Sequence, residues 1–221
     1  NIGSNSAPLI NGFKKFGCSV RPLAAFHERW ENFLQSIDGN SSPVICIIGG
    51  GLASIELSFA MDIRLKKLGI ENFKIKILER RKAFGSLSSN QQRYLRAKAK
   101  LRKIEILENL IVKEVSKNEL VVKNGKRVHS DFIVSCIGPQ PHDLFKNSKI
   151  EHREGYVSVD KTLRIVGFQN AFAVGDCADF PVEFVERSGV FAVRQAPILY
   201  KNILKLAKNQ ALVQFKPQSD Y

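Results

Sequence analysis

The chain has 221 residues, enough for one large domain or two small ones, and its 44% hydrophobic content lets it bury an ordinary core, which excludes a disordered chain. No stretch has the length of a membrane-spanning helix, and no signal-peptide pattern is visible. A net charge of +13 attracts nucleic acid, anionic lipid head groups or an acidic partner, against the plainer reading of a solvated helix face.

Opening at Asn1-Ile2-Gly3-Ser4 without methionine, the chain reads as cut from a longer polypeptide. Residues 8–15 are polar and turn-rich. Pro22 leads into a helix expected over about residues 23–37, with Phe26, Trp30, Phe33, Leu34 and Ile37 as its apolar stripe. Residues 38–43 have the composition of a linker. The four cysteines, Cys18, Cys46, Cys136 and Cys177, show neither C-x-x-C nor zinc-like spacing, so no metal site and no disulfide framework is expected. That usage suits a reducing, cytoplasmic compartment.

Residues 44–48, Val-Ile-Cys-Ile-Ile, are an apolar, β-branched run without alternation, the mark of a strand buried in a parallel sheet. Gly49, Gly50 and Gly51 follow, then a helix expected over residues 52–67 with Leu52, Ile55, Phe59 and Ile63 at helical spacing. Lys66 and Lys67 suit the negative end of its dipole and Gly69 its stop. A second strand over residues 73–78 ends at Glu79. Strand, glycine turn, helix, strand and acid is the order a dinucleotide needs. Gly49 makes the turn, Gly51 lets the backbone approach a pyrophosphate, and Glu79 takes the adenosine ribose hydroxyls. Ser54 replaces the third glycine, a small residue that still permits close helix–strand packing. Glu79 favours NAD, whereas Arg80 and Arg81 suit the 2′-phosphate of NADP; the reading taken is NAD(H), with NADP as the alternative.

A basic helix is expected over residues 88–102, carrying Arg93, Arg96, Lys98, Lys100 and Arg102, followed by a third parallel strand over 104–107. Residues 110–115, 119–123 and 126–129 read as an antiparallel meander turning at Asn124-Gly125. His129 reads as a surface residue. Residues 131–138 form another buried strand, ending at Gly138. Further strands are expected over 156–160 and 170–174, the latter running into Gly175-Asp176-Cys177. A final helix over about 189–208 carries Val190, Val193, Ile198, Leu199, Ile203 and Leu206, with Pro197 kinking it or marking its true start.

Three motifs stand in order: the glycine turn with Glu79, then Ser135-Cys136-Ile137-Gly138-Pro139-Gln140-Pro141, then Ala173-Val174-Gly175-Asp176-Cys177-Ala178-Asp179. Together they resemble the FAD-dependent pyridine nucleotide-disulfide oxidoreductase superfamily, in its type II NADH dehydrogenase and sulfide:quinone reductase branch. The tail Gly189-Val190-Phe191-Ala192-Val193-Arg194-Gln195-Ala196-Pro197 is similar to flavoprotein modules fused to, or encoded beside, selenide, water dikinase.

The resemblance implies an α/β fold: a Rossmann-like NAD-binding domain, a parallel sheet with an antiparallel meander, inserted in a partial FAD-binding domain of the glutathione-reductase type. Residues 43–130 would be the NAD(P) domain, 1–42 a flavin-domain segment with connecting helix, and 131–221 the incomplete return segment. It also implies that Asp176 and Gly175 hold the flavin ribitol, that the backbone of Arg194, Gln195 and Ala196 is a helix start facing the flavin ring, and that Gly138 lies between the cofactors. Glu56 matches an acidic residue near the nicotinamide and is the catalytic candidate.

The family's first glycine fingerprint and its redox cysteine pair have no counterpart here. The chain therefore reads as an internal fragment, inactive alone, of an enzyme that passes electrons from NADH through FAD to a quinone or chalcogen-type acceptor. The implied setting is cytoplasmic, with peripheral contact at the inner face of a membrane. The alternatives are a non-catalytic NAD(H)-sensing module for a selenide, water dikinase partner, and, on charge alone, a nucleic-acid-binding domain.

Overall fold

The computed structural model describes residues 2–4, 8–38, 41–138, 140–181 and 189–217. Contacts divide the chain into two compact units, residues 6–138 and residues 1–5 with 139–221.

The larger unit begins with helix α1 (Phe13–Phe16), strand β1 (Cys18–Ser19) and helix α2 (Leu23–Ser36). Strand β2 (Val44–Ile48), helix α3 (Leu52–Lys67), strand β3 (Lys74–Leu78), helix α4 (Ser89–Leu101) and strand β4 (Ile104–Leu107) follow in βαβαβ order. Strands β5 (Val112–Val115), β6 (Glu119–Val122) and β7 (Arg127–His129) form the antiparallel meander, and β8 (Phe132–Ser135) returns to the first sheet. The sheet order is β1-β8-β2-β3-β4, all parallel, so β2 is central as its unbroken apolar run requires.

The two-residue period of the strands assigns their side chains to two cores. Ile45, Ile47, Ile75, Ile77, Phe132 and Val134 pack with Trp30 and Leu34 of α2, Ile55, Met61 and Leu65 of α3 and Ala99 of α4. On the other face Cys46, Ile48, Leu78 and Ile133 pack with Phe13 and with Val112, Val115, Leu120, Val122 and Val128 of the meander. Helices α2, α3 and α4 cover one face, and the meander with α1 covers the other.

The unit boundary differs from the expected division at residues 43 and 130. Strand β8 pairs with β2 from Ile45↔Phe132 to Ile48↔Ser135, and Trp30 stacks edge-on against Phe132 at 5.3 Å. Residues 6–42 and 131–138, read from sequence as parts of the flavin-domain pieces, thus fall in the sheet unit, while 1–5 and 139–221 form the other. The apolar stripe of α3 also differs. Leu52 and Ile63 are exposed, and the buried face is Ser54, Ile55, Ser58, Met61, Asp62 and Leu65. Small and paired polar residues fill half of it: Ser58 bonds back to the Ile55 carbonyl at 2.7 Å, and Asp62 lies 2.6 Å from Lys66. Past its Leu68 cap, Gly69 stands at φ 76° and ends the helix as its position predicts.

In the second unit, helix α5 (Asp143–Lys146) precedes strands β9 (His152–Arg153), β10 (Tyr156–Ser158) and β11 (Ala178–Asp179), in sheet order β11-β10-β9. The strand expected over 170–174 is absent. That segment makes only an isolated bridge from Phe172 to Arg164, although Ala173 and Val174 are buried in the unit's core with Val157, Val159 and Leu163. Helix α6 (Gly189–Ala207) runs through Pro197, so Pro197 is not its start. Its fully buried residues are Phe191, Gln195 and Asn202; of the expected aliphatic stripe, Ile198 and Leu199 pack against the same core, whereas Val190, Val193 and Ile203 are exposed, Val193 to 73%. Asn202 is fully buried yet satisfied, donating to the Thr162 and Val213 carbonyls at 2.8 Å each and accepting from the Val213 N–H at 2.7 Å. Among the described residues, no helix is long and apolar enough to cross a membrane.

Candidate functional site

The turn from β2 into α3 brings the predicted nucleotide residues together, and its three glycines differ physically. Gly49 has φ 106°, and a Cβ there would meet the Cys136 carbonyl group at 3.1 Å. At Gly50 a Cβ would lie 2.7 Å from the Glu79 Cβ. Both positions are therefore glycine for internal reasons. Gly51 has neither constraint: its φ is −86°, and a Cβ would meet nothing within 4 Å. It caps α3 without any side-chain hydrogen bond, and the first turn holds no acid. The first N–H groups of a helix lack intrahelical acceptors and carry the positive end of its dipole. The turn thus presents open space and uncommitted donors together, the arrangement an anionic group requires.

Glu79 stands beside this turn at the end of β3. Its Oε2 accepts the Gly50 N–H at 2.7 Å and its Oε1 accepts the Arg81 N–H at 2.9 Å. A carboxylate has about four acceptor positions, so each oxygen keeps room for a ligand hydroxyl. Arg80 and Arg81 are exposed. Ser54, in the third-glycine position, is fully buried, which fits its expected role of allowing helix and strand to approach. Burial raises the neighbouring Cys136 thiol to about 11, with the Ser54 hydroxyl opposing part of that shift. Glu56 is exposed on α3, just past its first turn. Gly138 is exposed beyond β8, with open space where a Cβ would stand.

Sequence reasoning missed the 83–84 segment, which packs against Gly50 beside Glu79. The Phe84 N–H donates to the Gly50 carbonyl at 2.8 Å. The Ala83 N–H donates to Glu108 Oε1 at 2.6 Å, and Arg96 donates to the same oxygen at 2.7 Å and to the Ala83 carbonyl at 3.2 Å. The Arg96 guanidinium also lies over the Phe84 ring, 5.7 Å from its centroid. This pairing holds the Glu108 carboxyl below its ordinary range, the Arg96 hydrogen bond being the largest cause. Arg96 read as one more cation of the basic helix, and its partner twelve residues on carries no local signal.

In the second unit, Gly175 has φ 72° and its N–H donates to Gln195 Oε1 at 2.6 Å, so α6 holds the 175–177 turn through a buried side chain. Asp176 is 8% exposed and accepts the Ser4 hydroxyl at 3.0 Å. Gly175, Asp176 and Gln195 are therefore brought together. Arg194, Gln195 and Ala196 do not begin the helix. They lie in its second turn, where the N–H groups serve the helix itself, so the donor set expected there is not at these positions. A buried carboxylate beside a positive-φ glycine still fits a hydroxyl-rich ligand.

His129, as expected, is at the surface, paired with Asp131 at 3.2 Å. All four cysteines are free thiols. Among the described residues, no group of three or more metal-ligating side chains is assembled.

Known proteins resemble this chain in sequence or in fold. A probable NADH dehydrogenase of Dictyostelium discoideum is 29% identical over 175 residues, 73% of this chain and 38% of its own. The solved sulfide:quinone oxidoreductase of Aquifex aeolicus superposes with a TM-score of 0.79 at 18% identity, over 94% of this chain and 53% of that one. Plasmodium falciparum NDH2, solved in complex with NADH, gives 0.71 at 19% identity, over 81% and 43%. The chain thus spans about half the length of the relatives it matches, or less. The family model for pyridine nucleotide-disulphide oxidoreductases matches residues 2–209, nearly everything from the Ser4–Asp176 contact to the end of α6, and the chain belongs to that family.

Proposed function

We propose that this chain is the nucleotide-handling part of an NAD(P)H:acceptor oxidoreductase, with NAD(H) held at the Gly49–Gly51 turn and FAD at Asp176. The carrying observation is Gly51, where open space meets the uncapped start of α3 one residue from the Gly50–Glu79 hydrogen bond. In this reading the N–H groups after Gly51 neutralise the pyrophosphate and Glu79 orients the adenosine ribose. Its charge favours NAD over NADP, while Arg80 and Arg81 keep the 2′-phosphate form as the alternative. Glu56 is assigned to the nicotinamide end, and Gly175 and Asp176 to the flavin ribitol, with Gln195 fixing the turn. Bound together, the two cofactors supply two-electron hydride chemistry, and the protein supplies alignment and electrostatics. The acceptor class is a quinone or a chalcogen compound. The family and the relatives' names support this choice, and the 189–197 motif alone supports a selenide, water dikinase partner.

Alanine substitutions separate the two kinds of glycine. Gly51→Ala leaves the melting temperature unchanged but weakens NADH binding about 10- to 100-fold in calorimetric titration, the loss of one charge-assisted hydrogen bond or slightly more. Gly50→Ala, which collides with Glu79, lowers the melting temperature itself. A Gly51→Ala protein that binds NADH as tightly as the wild type overturns the reading.

A further inference from the structure

Helix α4 carries two apolar faces. Its inner side, Leu95 and Ala99, packs into the core beneath the helices. Its outer side is centred on Tyr94, Ala97 and Leu101, at spacings of three and four residues, and Tyr94 and Leu101 are 60% and 78% exposed. Cations bracket that strip. At 100° per residue, Arg93 and Lys100 lie along one margin and Lys98 along the other, and all three are exposed. The Lys98 ammonium stands 5.3 Å from the Tyr94 ring centroid.

Between residues 80 and 103 there are nine Lys or Arg and no Asp or Glu. Two of the nine have inward tasks, Arg96 with Glu108 at 2.7 Å and Arg102 toward Asp62 at 4.0 Å. The outer cations have no acid within the helix to compensate them. The helix start is independently secured by a Ser88–Gln91 capping box, so the outer residues are not needed to form it.

A solvated face gains nothing from an exposed leucine and tyrosine at its centre. A nucleic-acid face uses aromatic stacking but has no use for Leu101. An apolar strip ending in a phenol and flanked by long cationic stems matches a lipid interface. There the apolar groups enter the acyl boundary and the ammonium and guanidinium groups extend to the phosphates. We infer that the outer face of α4 is a docking surface for an anionic phospholipid bilayer, with Tyr94 and Leu101 as the inserting residues and Arg93, Lys98 and Lys100 as the phosphate contacts.

The test is co-sedimentation of the chain with extruded vesicles of phosphatidylcholine alone or with 30% phosphatidylglycerol, with duplex DNA titrated in parallel. Binding is expected to the anionic vesicles only, falling steeply as salt is raised. The triple variant Arg93→Ala, Lys98→Ala, Lys100→Ala lowers partitioning about 100-fold, at about fivefold per cation. The double variant Tyr94→Ser, Leu101→Ser lowers it about tenfold with no change in net charge. All five side chains are exposed, so melting temperatures stay at the wild-type value. Equal binding to neutral vesicles, or full retention by the double variant, overturns the proposal. So does DNA binding that matches the vesicles in strength and is lost with them in the triple variant alone, which marks a general polyanion patch.

Discussion

Cys46 is fully buried on the meander side of β2, and Cys136 is partly buried where β8 runs out beside Gly49. Burial is the largest cause raising both thiols, from 9.0 to about 11 in each. A thiolate is the reactive form, so neither cysteine is primed for chemistry at neutral pH, in keeping with their apolar sequence surroundings. The shift has a sign for stability. The folded state holds these protons more tightly than the unfolded state, so the contribution is intact below pH 9 and is lost as pH rises toward 11. A two-unit shift is worth at most about 3 kcal/mol per thiol. Melting temperature is therefore expected to hold from pH 7 to 9 and then fall, and to fall less steeply in Cys46→Ala. Parallel curves for the two proteins would show that Cys46 contributes nothing to the decline. At this scale Gly49 and Gly50 were legible because the turn itself needs them, one for its positive φ and the other for its close approach to Glu79. The Ser4–Asp176 bond was not, since 172 residues separate its partners.

Among the elements, β2, β3 and the meander follow from composition and from Asn124-Gly125, whose glycine stands at φ 82°. The helices were found, but their inward faces were read only in part on α3 and α6: Ile55, Phe59, Ile198 and Leu199 pack inward as expected, while Ser54, Asp62, Gln195 and Asn202 also occupy core positions. A hydrophobicity pattern cannot register a polar side chain whose partner lies elsewhere in the fold. The same blindness hid the clamp in which α4 and the residue after β4 grip the 83–84 segment. Replacing Glu108 by Gln weakens the acceptor shared by Ala83 and Arg96, and the segment beside Glu79 loosens with it. The expected outcome is a stability loss of about 1 kcal/mol, one net hydrogen bond, with a severalfold weaker affinity for NADH although Glu108 lies outside the proposed nucleotide contacts. Chemical denaturation and titration read the two effects separately. An unchanged affinity alongside reduced stability would confine Glu108 to a purely structural part.

For the whole molecule, the three-motif order identified the family, but composition placed a boundary at residues 38–43, whereas the compact units divide at residues 5 and 138. Strand pairing decides membership, and nothing local in residues 131–138 states that they pair with 45–48. The division that emerges has a consequence in time. All of the sheet unit lies within one continuous stretch, residues 6–138, whereas its companion is assembled from residues 1–5 and 139–221. On a ribosome, everything the first unit needs is made before Asp176 is polymerised, so Ser4 must wait while the whole intervening unit is built. Closing so long a loop costs conformational entropy that short-range contacts do not. In pulse-labelled refolding, amides of β2, β3 and β8 are therefore expected to gain protection before those of β10 and β11. Simultaneous protection of both sets would mean that the two assemble in a single event. The ordered outcome would place the Ser4–Asp176 bond among the later contacts to form.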